Sequence, residues 1–195
     1  MADAVKDKVL AASLELVATG GVAALSMREV ARRADVSHQA PYHYFADKEA
    51  IIAALVERGF DLLSANLATA AETKKKDDSA AFFARCARAY VDFALDNPAY
   101  FRVMFRPDLV DVERFPAAKA AGDRAFAFLE QFVAPLGKAM TPARRAALVS
   151  MVWAEVHGLA TLLVDGKLAV IYPDPKERER HVHAVIQLFV ERAIA

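Results

Sequence analysis

Cysteine occurs once in the 195 residues, at Cys86, so no disulfide framework is open to this chain. Glycine and proline are sparse, at 7 and 8 residues, and that argues against a loop-rich or low-complexity chain. Charge of one sign is missing too. Lys+Arg and Asp+Glu both number 25, which argues against a strongly basic polyanion binder. The longest stretch free of Asp, Glu, Lys and Arg runs from Leu16 to Met27 and contains Gly20 and Gly21, short of the roughly 20 apolar residues a membrane span needs. The opening MADAVKDKVL is charged and lacks a signal peptide's apolar run, so a soluble cytoplasmic protein is expected, with no membrane partner. There is no glycine-rich phosphate loop, no H-E-x-x-H and no nucleophile elbow. No cofactor, metal or enzymatic activity is expected.

What is present is apolar and helix-forming. Hydrophobic residues make up 56% of the chain and 42 residues are Ala. Such a chain offsets its ordering entropy by burial and favours helix almost throughout. Val5, Val9, Ala12 and Leu16 repeat at helical spacing, predicting a first helix over about 4–18 that ends at Gly20-Gly21. Ser26 and Glu29 form an S-x-x-E capping box that opens a second helix, with Val30, Ala31 and Ala34 facing inward. A short third helix is expected over about 38–45, then a fourth, capped by Asp47, to about 71. The charge run Lys74-Lys75-Lys76-Asp77-Asp78 reads as a solvated loop. Nine of the twelve Phe lie between Phe82 and Phe132. Further helices are expected over about 80–95, 99–105, 115–132, 141–164 and 176–193, broken by Pro98, Pro107, Pro135-Leu136-Gly137, Asp165-Gly166 and Tyr172-Pro173-Asp174-Pro175. The reading is an all-α chain of about nine helices.

Residues 26–45, SMREVARRADVSHQAPYHYF, are the informative stretch. Two short helices joined by Ala34-Asp35-Val36-Ser37 match a helix-turn-helix, which lays its second helix in the DNA major groove with that helix's N-terminal residues at base edges. Polar residues do sit early in that helix: Ser37, His38 and Gln39. Gln39 suits a two-pronged pairing with adenine, His38 a base edge or a phosphate, and Ala40 a thymine methyl. Tyr42, His43 and Tyr44 carry ring polar groups suited to phosphate oxygens. Val36 and Phe45 should face inward.

The order S-M-R-x-V-A, then V-S, then Y-H-Y-F-A-D-K-E-A resembles the N-terminal domain of the TetR/AcrR family of transcriptional regulators, from about Ala4 to Val56. The resemblance implies a head that binds double-stranded operator DNA at 1–48 and a helical ligand-binding and dimerisation core at 49–195. It implies phosphate contacts for Ser26, Arg28, Tyr42, His43 and Lys48, and base contacts for Ser37, His38, Gln39 and Ala40. Two positions depart from the family. Asp35 stands where Gly is usual, and Asp tolerates left-handed angles better than most residues. Pro41 stands where Leu or Ile is common; in the first turn of a helix it should cost at most one hydrogen bond.

Trp153-Ala-Glu-Val-His157-Gly158 resembles the W-x-x-x-H-G signature of the WHG C-terminal subfamily, in register with the N-terminal match. Trp153 and His157, four apart, share a helix face. Gly158 lets another helix approach closely. By resemblance, helices 141–164 and 176–193 pair with their twins in a homodimer. Leu148, Val152, Leu159, Leu163, Ile186 and Phe189 are apolar enough for that interface or for the intrachain core. Tyr90, Phe93, Phe101, Phe105, Phe128, Trp153 and His157 are candidates to line a pocket for a small apolar effector, or else to be core. Glu177 and His181, four apart, read as a solvated face rather than a metal site. Cys86 reads as a small buried residue.

Charge qualifies the DNA reading. Residues 1–50 carry six basic and seven acidic side chains. Hydroxyls, backbone N–H groups and helix N-termini can also hold phosphate. The expectation is a dimeric reader of a palindromic operator with a modest electrostatic grip and shallow salt dependence. The resemblance implies a one-component regulator, read here as a repressor, that an effector releases from DNA. The alternatives are a ligand-sensing or dimeric binding module whose helix-turn-helix does not bind DNA, and a small helical enzyme using His157 with Glu155 or Cys86, for which no third group is evident.

Overall fold

The computed structural model describes residues 2–72, 79–136 and 140–194. The charge run at 74–78 and the stop residue Gly137 lie outside them. Among the described residues all regular structure is helical: nine α-helices and three 3-10 turns. The helices are α1 (Ala2–Gly20), α2 (Met27–Arg33), α3 (Lys48–Glu72), α4 (Ser79–Asp96), α5 (Pro98–Met104), α6 (Pro116–Val133), α7 (Pro142–Val164), α8 (Lys167–Ile171) and α9 (Pro175–Ile194).

The total of nine agrees with the sequence reading through two compensating differences. The expected helix at 38–45 is not an α-helix but a series of turns with a 3-10 turn at Pro41–His43. The extra element is α8, five residues long, whose N-cap Gly166 has φ 70°. So short a piece offers no periodicity to read.

The chain packs as two compact units: Met1–Asp61 with Asn97–Asp123, and Leu62–Asp96 with Arg124–Ala195. In the first, α1 lies against α2 and α5. Val9, Leu16 and Val17 of α1, Val30 of α2, Ile51, Leu55 and Val56 of α3 and Val103 of α5 are all buried. Helices α3 and α5 come so close at Gly59 that a Cβ there would sit 2.6 Å from Met104 Sδ and 3.3 Å from Tyr100 Cβ. Phe60 meets Phe105 edge-on at 5.4 Å. Glu49, in the first turn of α3, accepts from the Asp111 amide at 3.0 Å and from Arg114.

In the second unit α4 packs on α7 and α9, and α7 on α8 and α9. Phe83 and Phe93 of α4 are fully buried. Phe83 lies 5.1 Å from Phe132 and 6.3 Å from Phe189. Among the described residues, helix α7 alone is long and apolar enough, by composition, to cross a membrane, with a mean hydropathy of 1.7 over its most apolar stretch. Its Leu148, Val149, Val152, Val156, Leu159 and Ala160 are buried within the unit, and Glu155 interrupts the stretch. Leu148, Val152, Leu159, Ile186 and Phe189 are therefore intrachain core, while Leu163 is half-buried.

The ends of the helices follow local chemistry. Ser26 Oγ accepts from the Glu29 amide at 3.2 Å and caps α2. Asp47 caps α3 through the Ala50 amide at 2.8 Å, and Thr141 caps α7 through the Arg144 amide. Gly21 takes φ 68° after α1. After α2 the same task falls to Asp35, the one described non-glycine residue with positive φ, at 52°. A β-branched residue is strongly disfavoured at that angle. Asp35→Val is expected to lose about 1–2 kcal/mol of stability while Asp35→Gly loses none, measured by urea unfolding. Equal losses in both would refute the backbone explanation.

Candidate functional site

The helix-turn-helix stands on a buried base. Met27, Val30, Ala31, Ala34, Pro41 and Phe45 are all buried, and Val36 is half-buried. Above that base Ser37, His38, Gln39, Tyr42 and His43 are exposed and Ala40 is half-buried, so six of the base- and phosphate-contact candidates lie along one seven-residue segment. The rings of His38 and Tyr42 are 6.0 Å apart. Tyr44 is half-buried. Ser26 and Arg28, at the start of α2, are exposed as well.

Carboxylates attenuate the motif's positive charge. Glu29 takes Arg32 in a two-pronged bridge, Nε to Oε2 at 2.9 Å and Nη2 to Oε1 at 2.5 Å. That bond holds the Glu29 carboxyl below the usual carboxylate range. It also leaves the capping box half-made, because the Glu29 side chain turns to Arg32. Arg33 reaches Glu15 at 3.4 Å. Lys48 is half-buried and donates its Nζ to the Val22 carbonyl at 2.9 Å, tying the start of α3 to the 3-10 turn before α2. Arg28 is the exposed cation of the motif with no carboxylate at ion-pair distance among the described residues.

The effector candidates separate. Phe101 and Phe105 belong to the first unit, 5.6 Å apart in an edge contact. Tyr90, Phe93, Phe128, Trp153 and His157 belong to the second. Phe93 is wholly buried and Phe128 half-buried. Tyr90, Trp153 and His157 come together. The Tyr90 hydroxyl lies 2.9 Å from His157 Nδ1, and the Trp153 and His157 rings stand 6.3 Å apart edge to face.

One direction in this trio follows from chemistry. Burial pushes the Tyr90 phenol up, so its proton stays on, and a hydrogen bond with Trp153 acts the other way. Indole nitrogen only donates. Trp153 therefore donates to the Tyr90 oxygen, and the Tyr90 hydroxyl shares a further hydrogen bond with His157 Nδ1. Burial also pulls His157 down, favouring neutral imidazole.

Sequence reasoning missed Phe126. It is exposed, meets Trp153 edge-on at 6.1 Å and lies two residues before Phe128 on α6. Nothing in the local spacing separates the two rings. Burial pushes the Cys86 thiol up to about 12, so it stays protonated and unreactive at neutral pH. Glu155 pairs with Arg192 at 3.3 Å. Tyr172 stacks on His181 at 4.1 Å, and no group of three metal-ligating side chains occurs among the described residues.

An all-α chain with a helix-turn-helix head and a second helical unit defines a class, the helix-turn-helix transcriptional regulators. Comparison with known proteins places the chain within it. Residues 83–189 match the model of the tetracyclin repressor-like C-terminal domain, and residues 9–55 that of the bacterial regulatory proteins of the tetR family. The chain belongs to the TetR family of transcriptional regulators, a DNA-binding family.

Similar solved structures include a protein with unknown function from Rhodococcus sp. RHA1, 28% identical, with TM-score 0.75 over 97% of this chain and 93% of that one. The TetR family transcriptional regulator PfmR from Thermus thermophilus is 18% identical, with TM-score 0.68 over 95% and 96%. The fatty acid degradation regulator FadR from Bacillus halodurans is 12% identical, with TM-score 0.68 over 93% of each chain. A curated relative, the HTH-type transcriptional regulator YobS of Bacillus subtilis (strain 168), is 32% identical over 93 residues, 48% of this chain. The match spans about half of that relative's length, 47%.

The His157 environment has a pH consequence. Its folded pKa lies below its ordinary 6.5, so the unfolded chain binds the proton more readily. The stability due to neutral His157 is present above pH 6.5 and is lost as pH falls through the lowered folded value. Urea unfolding at a series of pH values is expected to show this acid-side loss, reduced in His157→Gln. An unchanged slope in the variant would refute the burial of a neutral ring.

Proposed function

We propose that this chain is a dimeric, ligand-responsive repressor acting in the cytoplasm, whose residues 1–48 read a palindromic operator and whose residues 49–195 dimerise and bind a small, largely apolar effector. The observation that carries the DNA half is the exposed polar segment Ser37–His43 held above a buried apolar base. Gln39 and His38 face base edges, Ala40 and Ser37 flank them, and Ser26, Arg28, Tyr42, His43 and Lys48 hold phosphates. With Arg32 and Arg33 bridged to carboxylates, few counterions are released per subunit and the grip depends on two heads acting together. A two-fold dimer fits half-sites about 34–36 Å apart or a multiple of that.

For the effector half, Tyr90, Trp153 and His157 supply polar groups inside an aromatic setting, the composition of a small-molecule site. Phe93 and Phe128 add apolar surface in the same unit. We take the Trp153-x-x-x-His157-Gly158 run as a WHG-type subdomain. The effector acts through unequal affinity for two conformations. Dimerisation is supported by what α7 to α9 leave uncovered. Trp153, Leu162, Val170, Ile171 and Leu188 are exposed, Val170 at 80%. The Gly158 Cβ position has nothing within 4 Å in its own chain.

A second reading, a sensing module whose helix-turn-helix does not bind DNA, is favoured by one observation, the capture of Arg32 and Arg33 by Glu29 and Glu15. Footprinting of the full chain on the DNA upstream of its own gene at low salt decides between them. A protected palindrome is expected, and no protection would leave the second reading. On the protected site, Gln39→Ala is expected to lose about 1–3 kcal/mol of discrimination at one base position. A loss spread evenly over the site would remove Gln39 from its base-reading role. Gly158→Leu, at a position where an added Cβ meets nothing of its own chain within 4 Å, is expected to shift a dimer to folded monomer in sedimentation equilibrium. An unchanged dimer would place the interface elsewhere.

A further inference from the structure

The segment that bears the base-contact candidates departs from the helix expected of it, and one residue explains the departure. In an α-helix begun at Ser37, the amide of residue 41 would donate to the Ser37 carbonyl. Pro41 has no amide hydrogen. The Ser37 carbonyl is taken instead by the Ala40 amide at 2.9 Å. The shift continues down the segment: Tyr42 donates to the Gln39 carbonyl at 3.1 Å, His43 to Ala40 at 3.2 Å and Tyr44 to Pro41 at 3.1 Å. Each of these bonds spans three residues, the 3-10 pattern. Only at the far end does a four-residue bond return, from the Phe45 amide to the Pro41 carbonyl at 2.9 Å. Pro41 and Phe45 are both buried, so the segment is anchored at its middle and its end.

That pattern re-aims the side chains on either side of the turn at Pro41–His43 relative to one another. A 3-10 turn advances about 120° and 2.0 Å per residue, against about 100° and 1.5 Å in an α-helix. Over the two steps from Pro41 to His43 the two geometries diverge by about 40° and about 1 Å. A two-pronged contact to a base edge works only within hydrogen-bond distance and near-linear geometry. A displacement of this size moves such a contact to another base or abolishes it.

We propose that Pro41 is a positioning residue that sets sequence specificity without touching DNA. By denying the segment its four-residue hydrogen bond, it holds Ser37–His43 in three-residue bonds around the 3-10 turn and so decides which bases His38 and Gln39 meet. The inference rests on the reading of this segment as the DNA-facing one. Leucine or alanine at position 41 restores the amide donor and releases the segment toward α-helix.

The test is selection from a random-sequence duplex DNA library by three full-length chains: wild type, Pro41→Leu and Pro41→Ala. Cooperative thermal unfolding checks that each is folded. The selected sites are then exchanged between the proteins. Wild type and the folded variants are expected to enrich sequences that differ at one or more positions. Each protein should bind its own site at least about tenfold tighter than the other's, the scale of one good base contact. Enrichment of the same sequence, with affinity alone reduced, overturns the inference and leaves the DNA reading intact. Loss of folding in both variants overturns it as well, since Pro41 then serves the fold. A wild-type chain that enriches no sequence overturns the DNA-facing assignment itself, and the inference with it.

Discussion

A fold made of helices satisfies its backbone inside each element, and the first and last turns are what remains to be provided for. That constraint organises this molecule. Ser26, Asp47, Asp111, Thr141 and Asp174 each accept from an amide two or three residues on, and each stands where a helix or a 3-10 turn begins. Gly21, Asp35 and Gly166 supply the positive φ that turns the chain after a helix. The segment around the 3-10 turn at Pro41–His43 is a special case of the same constraint. Pro41 removes a donor from inside a short element, and the carbonyls around it are satisfied by three-residue bonds. The turns that place this segment and the bonds that shape it are one problem, solved locally.

Charge is the second organising fact. A neutral chain can still bear a basic face, yet this head does not concentrate one. Glu29 and Glu15 sit where they hold Arg32 and Arg33, and Lys48 directs a donor to the Val22 carbonyl. These exposed bridges contribute little to stability. Their larger effect is on the field the head presents, in which Arg28 is the exposed cation with no carboxylate at ion-pair distance among the described residues.

Local features are legible in the sequence and tertiary ones are not. The caps at Ser26, Asp47 and Thr141, the positive-φ turn at Asp35 and the helix stops at Gly21 and Gly166 each depend on one or two residues, and each can be read without neighbours. Pro41 is legible as an anomaly, but its consequence exceeds what the sequence suggests. One missing donor should cost one bond, whereas four amides between Ala40 and Tyr44 make three-residue bonds. The Glu29 side chain could equally have closed the capping box; the proximity of Arg32 on the next turn decides otherwise. On α7 and α9 the apolar residues at 148, 152, 159, 186 and 189 fit either a core or an interface. Only packing against α4 and against each other resolves them. Phe126 and Phe128 are indistinguishable by spacing, since which ring meets Trp153 depends on where α7 lies.

Helix α7 shows why composition alone misleads at this level. Its apolarity would suit a membrane, yet six of its residues are buried in the second unit and Glu155 interrupts its length. The apolar atoms left over are not scattered. Trp153 closes on Phe126 and His157, and its indole, having no acceptor, donates to Tyr90, whose hydroxyl shares a hydrogen bond with His157 Nδ1. Burial favours the protonated phenol and the neutral imidazole. The same apolar packing that forms the core therefore sets the protonation of the cluster.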